Sequence, residues 1–138
     1  MAIETGVGSS KNITDPAGAG KEAILLAVQN LGKEAHLVIV FSSVKYDQEK
    51  LVAGMEEVRG GAALVGCSAA GEITSHSTTF DSVIAMAINA PDIKFSVGYG
   101  TGVGADSHKA GAGAAQAVLD SRTMPALEHG RTVTCARP

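Results

Sequence analysis

Apolar and small residues at Ala17, Gly20, Ile24, Val28 and Leu31 recur at helical spacing between Asp15-Pro16 and Gly32. Asp15 is suited to cap that helix, Pro16 to open it and Gly32 to close it, so one amphipathic helix is predicted over this stretch. The pattern then changes character. His36–Phe41, HLVIVF, is apolar without alternation, as expected of a strand covered on both faces. Asp47 can cap a second helix with Glu49 in its first turn, a buried stripe of Leu51, Met55 and Val58, and a stop at Gly60-Gly61. Ala62–Cys67 reads as the next strand, and Ile3–Gly8 as the first. Ser82–Asn89 and Ile93–Tyr99 are separated only by Ala90-Pro91-Asp92, too short for a parallel crossover, so they are expected to form an antiparallel hairpin. A last helix opens at Asp106, with Ala110, Gly113, Ala114 and Ala117 along one side.

These elements predict an α/β fold: a mixed β-sheet in the order β-α-β-α-β-β-β-α, a single layer of sheet packed by helices. Ser82–Asn89 has large Ile84, Met86 and Ile88 on one face and small Ala85 and Ala87 on the other. The small face must meet a close neighbour, and the Ala/Gly-rich last helix is the candidate. No internal repeat stands out. Residues 1–124 are expected to form one domain. The tail 125–138, PALEHGRTVTCARP, is expected to be irregular, having no clear period, and a mixed sheet whose last element is a helix could accept another strand, as in a fragment of a longer chain.

Composition narrows the function. A chain of 138 residues with 45% hydrophobic and 18% charged residues has the globular balance, and 17 glycines against five aromatic residues imply elements that approach closely. The net charge of −3 and the lack of a Lys/Arg cluster argue against nucleic acid, and MAIETGVG has neither the basic region nor the apolar stretch of a signal peptide. No segment is apolar enough for membrane insertion. Two cysteines without CxxC or histidine spacing fit a reducing compartment, the cytoplasm being the simplest, and neither a metal nor a cofactor is implied.

If the first three strands are parallel, their carboxyl ends share one edge, where open α/β sheets bind ligands. Those ends read Gly8-Ser9-Ser10, Phe41-Ser42-Ser43 and Gly66-Cys67-Ser68. Small polar side chains leave room for a guest, and the capped helix near Asp47 could offer amides to a carboxylate. Glu72, just behind the same edge, would face an ammonium group. His76 lies in the long connection 68–81. Cys67 with His76 and Glu72 supplies the residue types of a nucleophilic site, but a cysteine among Gly66, Ser68, Ala69 and Ala70 equally fills a tight space. Gly98–Gly104 and Ala17–Lys21 match neither the dinucleotide nor the phosphate-loop fingerprint.

VFSSVKYDQEKLVAGM (40–55) together with ALVGCSAAGEI (63–73) and DSVIAMAI (81–88) resembles the amino-terminal part of the FIST family. The resemblance implies an α/β sensory domain of intracellular signal transduction that binds a small ligand such as an amino acid, in proteins that continue into a second, carboxyl-terminal domain. It implies no catalytic residues. The expected ligand-binding set is Ser42, Ser43, Cys67, Ser68 and Glu72, with Cys67 shaping the wall. The expected partners are a small-molecule ligand and signalling proteins or the carboxyl-terminal domain, with self-association over an uncovered edge. The alternatives are a cysteine-dependent acyl- or amide-transfer enzyme using Cys67, and a protein-interaction module without a ligand.

Overall fold

A computed structural model describes residues 2–74, 78–123 and 132–135. The strand β1 (Glu4–Ser10) leads through helix α1 (Pro16–Leu31) to β2 (Leu37–Ser43), and helix α2 (Gln48–Glu56) leads to β3 (Ala63–Ala69). A two-residue ribbon, β4 (Glu72–Ile73) with β5 (Thr78–Thr79), precedes β6 (Val83–Asn89). Helix α3 (Ser107–Thr123) and β7 (Thr132–Cys135) complete the order. The main sheet runs β1-β6-β2-β3-β7; β2, β3 and β7 are parallel to one another, and β6 is antiparallel to both β1 and β2. The sheet is therefore mixed and forms one layer packed by helices.

The helix signals act as the sequence reading expects. The Asp15 side chain accepts from the Gly18 amide at 3.0 Å, and left-handed Gly32 closes α1 through its N–H to Val28 O. Asp47 accepts from the Lys50 amide at 3.2 Å and so opens α2. The buried side of α1 is Ala19, Gly20, Ala23, Ile24, Ala27 and Leu31, packed over Val38, Val40, Leu64, Val83, Ala85 and Ala87. Leu51 and Met55 of α2 join this core, and Gly20 and Gly54 let the two helices touch backbone to side chain and backbone to backbone.

Two expectations require correction. Ile93–Tyr99 is not the hairpin partner of β6, because β1 and β2 already occupy both edges of that strand. The same arrangement places β6 between β1 and β2, so the three carboxyl ends share a rim without all being neighbours. The close neighbour of Ala85 and Ala87 is α1, not α3. In β1 the residues that meet α1 are Gly6 and Gly8: a methyl group on either would collide with helix backbone, at Ala27 and Leu31 for Gly6 and at Ala23 and Ala27 for Gly8. This flat joint brings α1 down onto the alanines of β6.

The joint occurs twice. Gly98 and Gly100 lie against the backbone of α3 at Ala114 and Ala110, as Gly6 and Gly8 lie against Ala27 and Ala23 of α1. Asp106 caps α3 as Asp15 caps α1, its side chain taking the amide three residues on (Lys109, 2.9 Å) and its carbonyl the amide four residues on (Ala110, 3.0 Å). In each copy two residues of the glycine segment span four residues of helix; at about 3.3 Å per strand residue and 1.5 Å per helix residue those lengths agree only for a nearly extended chain. The chain thus contains a repeated Gly-x-Gly, capped-helix unit. It escapes a reading of sequence alone because the connecting loops differ in length and only glycine, aspartate and alanine recur.

Candidate functional site

Register defines the rim. Ser10, Val83, Ser42 and Ser68 form one cross-strand row over β1, β6, β2 and β3. Because side chains alternate along a strand, Ser10, Ser42 and Ser68 share the face that carries α1 and α2, while Ser9, Phe41 and Cys67 belong to the opposite face. Ser42 and Ser68 are therefore brought together as the sequence suggests. Cys67 is not: its neighbour in register is Phe41, which is half exposed. On that opposite face, a groove of about 400 Å³ lies between Leu37 and Val65 of the sheet and Phe95, Val97, Ala114 and Val118.

The serines at the end of β2 are committed to the turn into α2. Ser42 Oγ donates to Gln48 Oε1 at 2.9 Å, and Gln48 Nε2 donates to the carbonyls of Ser43 (3.0 Å) and Tyr46 (3.2 Å). Ser43 Oγ accepts from the Lys45 amide at 3.3 Å, and Lys45 Nζ pairs with Asp81 at 2.7 Å. Asp81 has φ of 57°, a left-handed conformation uncommon outside glycine, asparagine and aspartate. At the end of β1, Ser10 Oγ donates to Glu22 Oε2.

Glu72 is the center of the group. It is 2% exposed, and its Oε2 accepts from Ser82 Oγ at 2.8 Å and from the Ser82 amide at 3.4 Å. Thr79 Oγ1 lies 2.7 Å from the same hydroxyl. Among the described residues, Glu72 Oε1 has no hydrogen-bond partner although it is fully buried. The Tyr46 phenol, itself buried, is held above its ordinary pKa by burial first and then by the charges of Glu72, Asp81 and Glu22. Tyr46, Glu22, Ser82 and Asp81 were not singled out from sequence. Register with Ser42 and the spacing of Ser10 to Glu22 become meaningful only once α1 lies on β1.

The remaining candidates are dispersed. His36 is at the opposite end of β2, where its Nδ1 accepts from the Ala90 amide at 3.0 Å, and His76 lies outside the described residues. Among the described residues no group of His, Cys, Asp and Glu could hold a metal ion, and no helix is long and apolar enough to cross a membrane. No curated protein matches the chain. The FIST N domain model matches residues 36–135, from the start of β2 through β7. With that match covering most of its length, and with the mixed sheet and carboxyl-end rim described above, the chain belongs to the FIST N domain family, a family of sensory domains in signal transduction.

Proposed function

We propose that this domain is noncatalytic and senses a small ligand at the carboxyl rim of its sheet, with Glu72 facing a positively charged nitrogen such as the ammonium group of an amino acid. Ser42, Ser43 and Ser68 supply the polar surround. The observation that carries the reading is the buried Glu72 Oε1 left without a donor. A buried acceptor without a partner costs free energy that a bound donor would recover, and buried charge is ordinarily paired. Burial of Ser42, Ser43 and Glu72 at one rim, with Ser42 on the α1–α2 face and Ser43 in the turn that follows it, supports the same reading. Cys67, on the other face, belongs to the sheet wall and not to the ligand contact.

Thermal unfolding against a panel of amino acids and amines tests this. A ligand at 100 times its dissociation constant adds about 2.7 kcal/mol of stability. At least one member of the panel is expected to raise the midpoint, and the rise is expected to vanish in Glu72→Gln. A panel without any shift would refute the reading.

A further inference from the structure

The electrostatic surroundings of Glu72 narrow the ligand, on the basis of the ligand-sensing reading above. Among the described residues, the charges that act on the Tyr46 phenol are three carboxylates, Glu72, Asp81 and Glu22. Glu22 Oε2 accepts from Ser10 Oγ, and Asp81 is paired with Lys45, whose side chain is mostly in solvent. Glu72 Oε2 is satisfied by Ser82. The buried Oε1 is left, and the groups beside it add negative charge where a donor is wanted.

The nearby helix end offers an anion little. Two amides in the first turn of α2 are directed to Asp47: its side chain takes Lys50 at 3.2 Å, and its carbonyl takes Leu51 at 3.0 Å. The positive end of α2 thus already faces the chain's own carboxylate, whose pKa is lowered first by the hydrogen bond from the Lys50 amide. A ligand carboxylate would meet acidic neighbours and a helix end already in use.

We propose that the site selects a small organic cation, a primary amine or a guanidine, that lacks the α-carboxylate of an amino acid. Its N–H groups donate to Glu72 Oε1 in the fully buried part of the site. Asp81, whose side chain is 43% exposed, adds a carboxylate nearer solvent.

Matched pairs make the test. Cadaverine against lysine and agmatine against arginine are titrated calorimetrically into the full chain, into Glu72→Gln and into Glu57→Gln, which removes an exposed carboxylate paired with Lys21. Each amine is expected to bind at least ten-fold more tightly than its amino acid, to lose at least ten-fold in Glu72→Gln and to be unaffected in Glu57→Gln. An amino acid that binds as tightly as its amine overturns this inference and leaves the ligand-sensing reading standing; binding by none of the four compounds overturns this inference, and the ligand-sensing reading falls with it only when the wider panel also gives no thermal shift. Amine binding that survives Glu72→Gln overturns the site. A readout on the unaltered protein guards against a variant that fails to fold: agmatine, whose guanidinium stays charged above pH 12, should lower the pH at which Tyr46 ionises, followed by phenolate absorbance. An unchanged Tyr46 titration under saturating agmatine also overturns the proposal.

Discussion

Replacing Gly8 with alanine probes the joint on which the whole α1 face depends. The added methyl would lie 2.7 Å from the Leu26 Cβ and closer still to the backbone of Ala23 and Ala27, whereas ordinary contact begins near 3.4 Å. The obstruction is mainly main chain, so no side-chain rotation relieves it, and α1 must lift by about 1 Å. A gap of that size forfeits about a quarter to a half of each dispersion contact it opens. Ala23, Ile24 and Ala27, all 0% exposed, are the residues that lose them. Overpacking of this kind costs about 1–3 kcal/mol and occasionally more. The upper end applies because backbone must move, less about 0.5–1 kcal/mol regained from the stiffer unfolded chain. A net loss of about 2–2.5 kcal/mol is expected in urea unfolding, with an unchanged m-value. Gly111→Ala is the control, since a methyl there meets nothing within 4 Å and replaces a helical glycine; it should be neutral or stabilising by up to about 1 kcal/mol. Gly8→Ala within about 0.5 kcal/mol of the unaltered protein would refute the reasoning, as would an equal loss in Gly111→Ala.

The rim supplies further tests. Tyr46 has a folded-state pKa raised above the unfolded value near 10, so its contribution to stability is complete below about pH 10 and is lost as pH rises toward the folded value. Urea unfolding at pH 9, 10 and 11 should show a shallower decline for Tyr46→Phe than for the unaltered chain; identical slopes would contradict the assignment. Asp15→Ala removes the acceptor of the Gly18 amide and is expected to cost about 1 kcal/mol in the same assay, with Asp15→Asn recovering most of it. Cys67→Ala, on the face away from Ser42 and Ser68, is expected to leave any ligand-induced thermal shift unchanged, and loss of the shift would return the thiol to the site.

Much of the fold can be read along the chain because its strongest signals are local. Asp15-Pro16, Gly32 and Asp47 act within one helical turn, so α1 emerges with its observed limits and α2 with its observed start, whereas α2 ends at Glu56, short of the expected stop at Gly60-Gly61. The apolar run at Leu37–Phe41 marks an interior strand because both of its edges and one full face are covered. Strand order is a different kind of information. Nothing in Val83–Asn89 states that Glu4–Ser10 will take one of its edges, and Ile93–Tyr99 has the composition of a strand while lying against α3. The same distinction divides the site. Ser42 and Ser68 follow from strand ends and parallel pairing, and Glu72 from its place just behind them. Tyr46, Glu22 and Ser82 reach the same rim through a turn, a helix face and a short ribbon, none of which has a sequence period. Within 125–138, Thr132–Cys135 pairs with β3 in parallel, although the segment is too short and too mixed to announce a strand.

The repeated glycine joint bears on the order in which the molecule assembles. Gly8 meets Ala23 only fifteen residues along the chain, whereas its sheet partner Ala85 is seventy-seven away. Closing the longer loop costs about 1.4 kcal/mol more in chain entropy, which favours the local contact as the earlier event. The second joint, between Gly100 and Ala110, closes over a still shorter span. Each end of the polypeptide therefore carries its own seed, and zippering of the central ladder, which needs β6 between two strands made long before it, is left as the slow step.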